Sequence, residues 1–170
     1  MNIPRDIERT IRDILANSDN LPLGARVVAW QTPAETEGWD KPDSPAWSPE
    51  LDRMFPSIDV RCTPPGTEND DQTALVCDVA ILAATKAADD RNRAVISAMY
   101  AFIQEWVDSV AFGRYAGRGT AFEDLGEALA RYEPRLILGG VTLGTPTPPA
   151  ESASLYLLGV EIRIHFSLFP

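Results

Sequence analysis

The sequence predicts an α+β domain: an antiparallel or mixed β-sheet flanked by an N-terminal amphipathic helix and one long central helix, with long proline-rich loops. Two segments repeat apolar residues at helical spacing, and several shorter ones alternate apolar with polar residues, as strands do. Helices and strands in this order are typical of an α+β arrangement. Because 170 residues suit one domain with its own core, we expect a single domain over 1–170.

The first predicted element is a helix over 3–15. Pro4 fits its first turn, where a proline loses no intrahelical hydrogen bond. Charged residues occupy most of the surface, and one apolar stripe is left to pack on the rest of the domain. The stripe consists of Ile3, Ile7, Ile11, Ile14 and Leu15. A short strand over 26–31 is predicted to follow.

Two strands of a meander are predicted over 57–62 and 75–82, because apolar and polar residues alternate in both. Each strand contains one of the two cysteines, Cys62 and Cys77. A closed zinc site needs four Cys or His ligands, so two cysteines alone do not make one. We therefore expect two buried free thiols and predict no metal site and no cofactor.

The strongest helical periodicity runs over 89–110, with Asp89 or Asp90 as a candidate N-cap. Phe102 and Trp106 fall on its apolar stripe and are expected in the core. A short helix over 121–131 and two strands, near 136–141 and 160–168, complete the pattern. His165 alternates with core residues of the last strand, so we place it on the polar face, with no Ser, Cys or acidic partner in a local motif.

Three other segments are predicted as loops: 32–56, 111–134 (a Gly/Arg loop plus the short helix) and 144–154. Repeated prolines forbid regular structure in the first, and a loop of that length is usually an interaction element. The Gly/Arg stretch lacks the spacing of a phosphate-binding P-loop and is interpreted as a surface loop. Candidate partner contacts come from these loops: Trp39, Trp47, Arg114, Arg118, Pro146 and Pro148.

The composition excludes several classes of function. Fifteen basic against 25 acidic side chains, a net charge of −10, argue against a broad nucleic-acid-binding surface. With one histidine, His165, any histidine-based metal site or catalytic relay must use that residue. No apolar run approaches the roughly 20 residues that cross a bilayer, and the charged N-terminus is unlike a secretion signal. We therefore expect no membrane contact and synthesis in the cytoplasm.

The order of these elements resembles that of bacteriophage tail terminator proteins, also described as tail completion or head–tail joining proteins. The resemblance spans nearly the whole chain. It rests on the helix DIERTIRDIL, the hairpin SIDVRC and ALVCDVAIL, the long helix DRNRAVISAMYAFIQEWV and the last strand YLLGVEIRIHFSLF. The Trp/Pro-rich insertion and the Gly/Arg stretch have no counterpart in the pattern.

The resemblance implies a structural virion protein and not an enzyme. Its expected partners are copies of itself in a hexameric ring, the tail tube protein and the head-side connector or neck protein. The ring is expected to cap the tail tube in the virion neck and stop its polymerisation, after assembly in the host cytoplasm. DNA passes through the lumen without specific binding, which an acidic chain permits.

Three alternatives remain at this stage. One is another neck component, such as a head–tail connector or sheath-connector protein. The second is a small enzyme that uses carboxylates, for which Asp78, Asp89 and Asp90 are the candidates. The third is a non-viral module that binds a small molecule or peptide through Trp39 and Trp47.

Overall fold

The fold is taken from a computed structural model that describes residues 3–29, 56–63, 66–67, 75–86, 90–116, 120–132, 136–144, 147–152 and 157–169. It confirms the α+β prediction. The helices are α1 (Ile3–Ala16), α2 (Asp90–Ala116) and α3 (Ala121–Leu129). The strands are β1 (Arg26–Ala29), β2 (Ser57–Cys62), β3 (Gly66–Thr67), β4 (Leu75–Lys86), β5 (Ile137–Leu143), β6 (Thr147–Ser152) and β7 (Leu157–Phe169).

One mixed sheet contains all of these strands, with the path β1-β2-β4-β7-β5. Strand β1 runs parallel to β2, and the other pairings are antiparallel. Strands β5 and β6 both pair with β7, through Leu143 opposite Ile164 and Thr147 opposite Glu161. Because β4 occupies the other edge of β7, β5 and β6 follow each other along one edge, like a single interrupted strand.

The three helices pack against the sheet on one face. Helix α1 covers β1 and β2, α2 covers β4, β7 and β5, and α3 joins α1 and α2 beside β5. A row of directly opposed residues, Val60, Ile81 and Ile162, crosses the centre of the buried face. Alternation therefore sends one set of side chains into the core and the other to the opposite face of the sheet.

The segment predicted as a proline-rich loop over 144–154 contains a strand, so that prediction is wrong over β6. Pro148 lies within β6. Proline has no backbone N–H, and an edge strand tolerates it; among the described strands β6 pairs with β7 alone. The pairing with β7 is irregular between Thr147 and Ala150, the interval that contains the prolines.

The prediction of a loop directly after residue 110 is also wrong, because α2 continues to Ala116 and includes Arg114. Gly113 is buried where α2 approaches α3: a Cβ at this position would lie 2.9 Å from Phe122 Cβ and from Thr120 Oγ1. Thr120 caps α3 by accepting a hydrogen bond from Glu123 N–H at 3.3 Å. Here glycine permits close packing of two helices.

The N-terminal helix is fastened to the segment after α3 by a small polar cluster. Tyr132 Oη lies 3.0 Å from Thr10 Oγ1 and donates to the carbonyl of Asp6 at 3.2 Å. Thr10 Oγ1 donates to the same carbonyl at 2.7 Å. Among the described helices, none is both long and apolar enough to cross a membrane.

Candidate interaction surfaces

The residues predicted to contact partners fall in different places. Arg114 lies in the last turn of α2, and Pro148 lies in β6. Trp39, Trp47, Arg118 and Pro146 lie outside the described residues, as does most of the loop 32–56. The structure thus places Arg114 and Pro148 on two separate elements.

Four large apolar side chains are exposed among the described residues. Leu23 is fully exposed in the turn that leads to β1, and Phe112 is 60% exposed near the end of α2. Ile137 and Leu143 are 49% and 40% exposed, and both belong to β5. Because single exposed apolar residues are common, the two on β5 mark the more distinctive surface. Sequence reasoning placed Phe112 in a surface loop and assigned none of the other three residues to a surface.

Strand β5 forms a margin of the sheet. One of its sides pairs with β7, and within the described ranges no strand pairs with the other. The run 136–150 contains no charged residue. A Cβ added at Gly140 would meet no described atom within 4 Å, so the sheet face at this residue has room for a side chain. β5 is therefore an uncharged margin of the described sheet.

The sheet face opposite the helices carries a cross-strand polar pair. Asp78 on β4 lies directly opposite His165 on β7, and Nδ1 of His165 contacts Oδ1 of Asp78. Thr63 holds Asp78 in place, because Thr63 N–H donates to the Asp78 carbonyl at 2.9 Å. His165 is on the polar face as predicted, since Ile164 and Phe166 are buried.

The acidic partner of His165 was missed because it comes from a strand 87 residues away and not from a local motif. Pairing the alternation of β4 with that of β7 would have found it. Thr142 on β5 is opposite His165 on the other side, so an acid, an imidazole and a hydroxyl form a row across three strands. The side chains of His165 and Asp78 are 40% and 53% exposed. Water competes for hydrogen bonds at such exposure, which favours surface contact over proton transfer in an enclosed site.

Another side-chain pair, Asp59 and Arg61, lies within strand β2. Arg61 Nη2 lies 3.6 Å from Asp59 Oδ2, and the side chains are 42% and 19% exposed. Burial raises the pKa of Asp59, and the nearby Arg61 guanidinium opposes that rise. A partly desolvated carboxylate thus lies beside β1, at the margin of the sheet opposite β5.

The two cysteines are free and buried, as predicted. The hydrogen bond with Cys77 and the burial of its own thiol raise the pKa of Cys62. Among the described residues, no group of three or more His, Cys, Asp and Glu side chains is placed to hold a metal ion. The thiols therefore belong to the core.

Glu8 on α1 is a fully buried acid, which the helical pattern did not predict. The N–H of Cys62 donates to Glu8 Oε1 at 2.7 Å. The N–H of Thr63 is directed towards β4, so the N–H of the preceding residue, Cys62, is directed towards the side of β1. Strand β1 ends at Ala29, which lies opposite Val60, and does not reach Cys62. The carboxylate thus takes the place of a strand carbonyl and ties α1 to β2.

These surfaces consist of an uncharged edge at β5, isolated apolar side chains elsewhere, and polar pairs on the open sheet face. They are suited to contact with other macromolecules. No protein-family model matches this chain, and no curated protein matches it.

Proposed function

We propose that this protein is a structural subunit of a bacteriophage neck, a tail terminator that forms a ring, caps the tail tube, stops its polymerisation and docks the head-side connector. The observation that carries the proposal is the uncharged strand β5, with exposed Ile137 and Leu143, at one end of the described sheet path. Such a surface favours assembly.

The positions of the exposed apolar residues support a ring. A closed ring needs heterologous contacts, in which one patch of each subunit binds a different patch of its neighbour. The sheet path puts β1 at one margin and β5 at the other. Leu23 is exposed just before β1, and Ile137 and Leu143 are exposed on β5. Two unlike surfaces thus flank the domain, as contact with two neighbours requires.

The charge of the chain supports a channel through which DNA moves. A net charge of −10 disfavours tight binding to phosphates, which requires surplus Lys and Arg. The uncharged strand β5 is a place where two acidic copies can approach without opposing like charges. Acidity and assembly are therefore compatible in one subunit.

The test combines the purified protein with tail tubes assembled from the tube protein of the same phage. We expect rings at one end of each tube by negative-stain microscopy, and tubes whose growth stops when the protein is added. Bovine serum albumin at the same concentration is the control for nonspecific effects of an acidic protein on tube growth. Tubes that elongate unchanged and carry no rings would contradict the proposal.

The second candidate is another neck component. Two different surfaces, one beside β1 and one at β5, would suit the subunits of any ring. Binding to the head-side connector with no binding to tube ends would favour it over the terminator. Side-by-side pull-downs with connector and tube protein distinguish the two.

A further inference from the structure

We infer that Cys62 and Cys77 form a reversible disulfide bond between β2 and β4 when the surroundings of the protein are oxidising. Both cysteines are free thiols in this structure, which therefore shows the reduced state. The inference is independent of the proposed function, because it concerns only these two residues and the strands that hold them. It assigns to one end of the β2–β4 pair a redox-sensitive link that an oxidant closes and a small thiol opens.

The register of β2 and β4 puts the two cysteines on the same face of the sheet. Cys62 lies opposite Val79, and Cys77 comes two residues before Val79 on β4. Side chains alternate between the faces of a strand, so residues two apart share a face. Both cysteines belong to the core on the helix side. They are thus diagonal neighbours, a position from which side chains of adjacent strands can meet.

Backbone hydrogen bonds fix the strands between the two cysteines. Thr63 directly follows Cys62, and Asp78 directly follows Cys77. The N–H of Thr63 donates to the Asp78 carbonyl at 2.9 Å, and the N–H of Asp78 donates to Thr63 Oγ1 at 3.2 Å. On the other side of β2, the N–H of Cys62 donates to Glu8 Oε1 at 2.7 Å. Both cysteines are therefore held next to each other before any bond between them forms.

The two thiols interact in the reduced protein. The hydrogen bond between them raises the pKa of Cys62 and lowers that of Cys77. The thiol with the lower pKa supplies the thiolate, which is the form that attacks a disulfide. Cys77 is therefore expected to react first, with Cys62 in place to complete the exchange.

The oxidant is a low-molecular-weight disulfide such as oxidised glutathione. The Cys77 thiolate attacks one of its sulfurs, the glutathione S–S bond breaks, and one glutathione thiolate leaves. The Cys62 thiolate then attacks the Cys77 sulfur of this mixed disulfide and releases the second glutathione. The two protein sulfurs lose two electrons and the oxidant gains them. The two thiol protons end on the two glutathione molecules.

The bond is expected to be readily reduced. The Cα atoms of diagonal neighbours lie about 7–8 Å apart, whereas those of a disulfide usually lie about 4.4–6.8 Å apart. Bond formation must therefore draw the cysteines together. Cys62 is the last residue of β2, so the movement is confined to the end of that strand. A disulfide under such strain has a higher reduction potential and responds to the thiols around it.

The test compares the folded and the unfolded chain at equilibrium with glutathione. The full-length protein is incubated in buffers of graded reduced-to-oxidised glutathione ratio, with and without guanidinium, and the exchange is stopped with acid. Intact mass counts the chains that have lost two hydrogen atoms, and peptide mapping without reductant identifies the link between Cys62 and Cys77. Because both thiols are buried, exchange proceeds through transient opening, so each sample is followed until its composition is constant.

We expect the ratio of disulfide to dithiol to be about tenfold or more higher in native buffer than in guanidinium, since the fold holds the two thiols together. By linkage the disulfide stabilises the fold by the same factor. The oxidised chain should therefore melt about 3–6 °C above the reduced chain.

Cys62→Ala and Cys77→Ala are the matched controls, because each keeps one thiol. Neither should form a disulfide within the chain, and the glutathione ratio should not change their melting temperatures. Circular dichroism verifies that they fold, and if either unfolds, the wild-type comparison between native buffer and guanidinium decides alone. A disulfide ratio in native buffer no higher than in guanidinium, or disulfides only between chains, would overturn the inference.

Discussion

Asp78 and His165 face each other across β4 and β7, and their side chains are in contact on the sheet face that the helices leave uncovered. Strands β4 and β7 are paired along almost their full lengths, from Leu75 opposite Leu168 to Lys86 opposite Leu157. The polar pair thus lies within the longest ladder of the fold. The pair reports the register of that ladder, because a shift of β7 by one residue relative to β4 would turn His165 towards the core.

The Asp78–His165 pair should contribute little to stability, because both side chains are 40% or more exposed. In a double-mutant cycle with Asp78→Asn and His165→Gln, we expect a coupling free energy below about 1 kcal/mol from guanidinium unfolding. A coupling of several kcal/mol would contradict the exposure of the two side chains, because it would require a pair shielded from water.

The Glu8 carboxylate should contribute far more to the free energy of unfolding than the Asp78–His165 pair does. Glu8→Ala removes the buried acceptor of the Cys62 N–H and should lower the free energy of unfolding by about 1–3 kcal/mol. Glu8→Gln keeps an acceptor oxygen at the same place and should cost less. Equal losses in the two variants would show that the hydrogen bond to Cys62 is not what stabilises α1 on β2.

Two helical glycines should respond in opposite ways to alanine. At Gly113 a Cβ would lie 2.9 Å from Phe122 Cβ, so Gly113→Ala should destabilise the fold by about 1–3 kcal/mol. At Gly126 the nearest atom, Leu138 Cβ, is 4.0 Å away, so Gly126→Ala should stabilise α3 by about 0.5–1 kcal/mol. Thermal unfolding of the two variants checks both signs, and a stabilising Gly113→Ala would contradict the close approach of α2 to α3.

The pH dependence of stability should carry a contribution from Asp59. Because burial raises its pKa, the folded state favours the protonated form, and this contribution is fully present below about pH 4 and is lost as pH rises through the raised pKa. Asp59→Asn should therefore be at least as stable as the wild type at about pH 7, with a flatter profile from about pH 4 upward. Unfolding curves across that range measure it.

Neither cysteine should react with a thiol reagent in the folded protein. Cys77 is fully buried and Cys62 is 6% exposed. The hydrogen bond between the two thiols raises the pKa of Cys62 and lowers that of Cys77, so Cys77 is protected by its burial and Cys62 by both effects. Titration with Ellman's reagent should label no thiol in native buffer and both in guanidinium. Thr142→Cys is the positive control, since it adds one exposed thiol. Rapid labelling of the native wild type would place Cys62 or Cys77 at the surface.

Most elements could be predicted because their apolar residues repeat with a clear period. α1 was predicted over 3–15 and extends to Ala16, and β2 was predicted with its bounds. The predictions failed where a proline or glycine, which usually ends a strand or a helix, is accommodated by its contacts with the rest of the fold. Proline suits β6 because that strand lies at an edge, and glycine suits α2 at Gly113 because α3 packs closely there.

The candidate surfaces were harder to predict than the fold. The partners of His165 and of the Cys62 N–H, Asp78 and Glu8, are distant in sequence and come together only through strand register and helix docking. Exposure of Ile137 and Leu143 depends on which strand lies at the margin, and strand order is not encoded in local alternation. Pattern alone identifies strands but not the order in which they pair.

The central place of β7 has a consequence for folding during translation. Among the described strands β7 comes last in sequence, and β4, β5 and β6 all pair with it. A nascent chain can therefore pair β1, β2 and β4, but it cannot complete the sheet until residues 157–169 have been synthesised. Closure of the core is thus expected to follow the synthesis of β7.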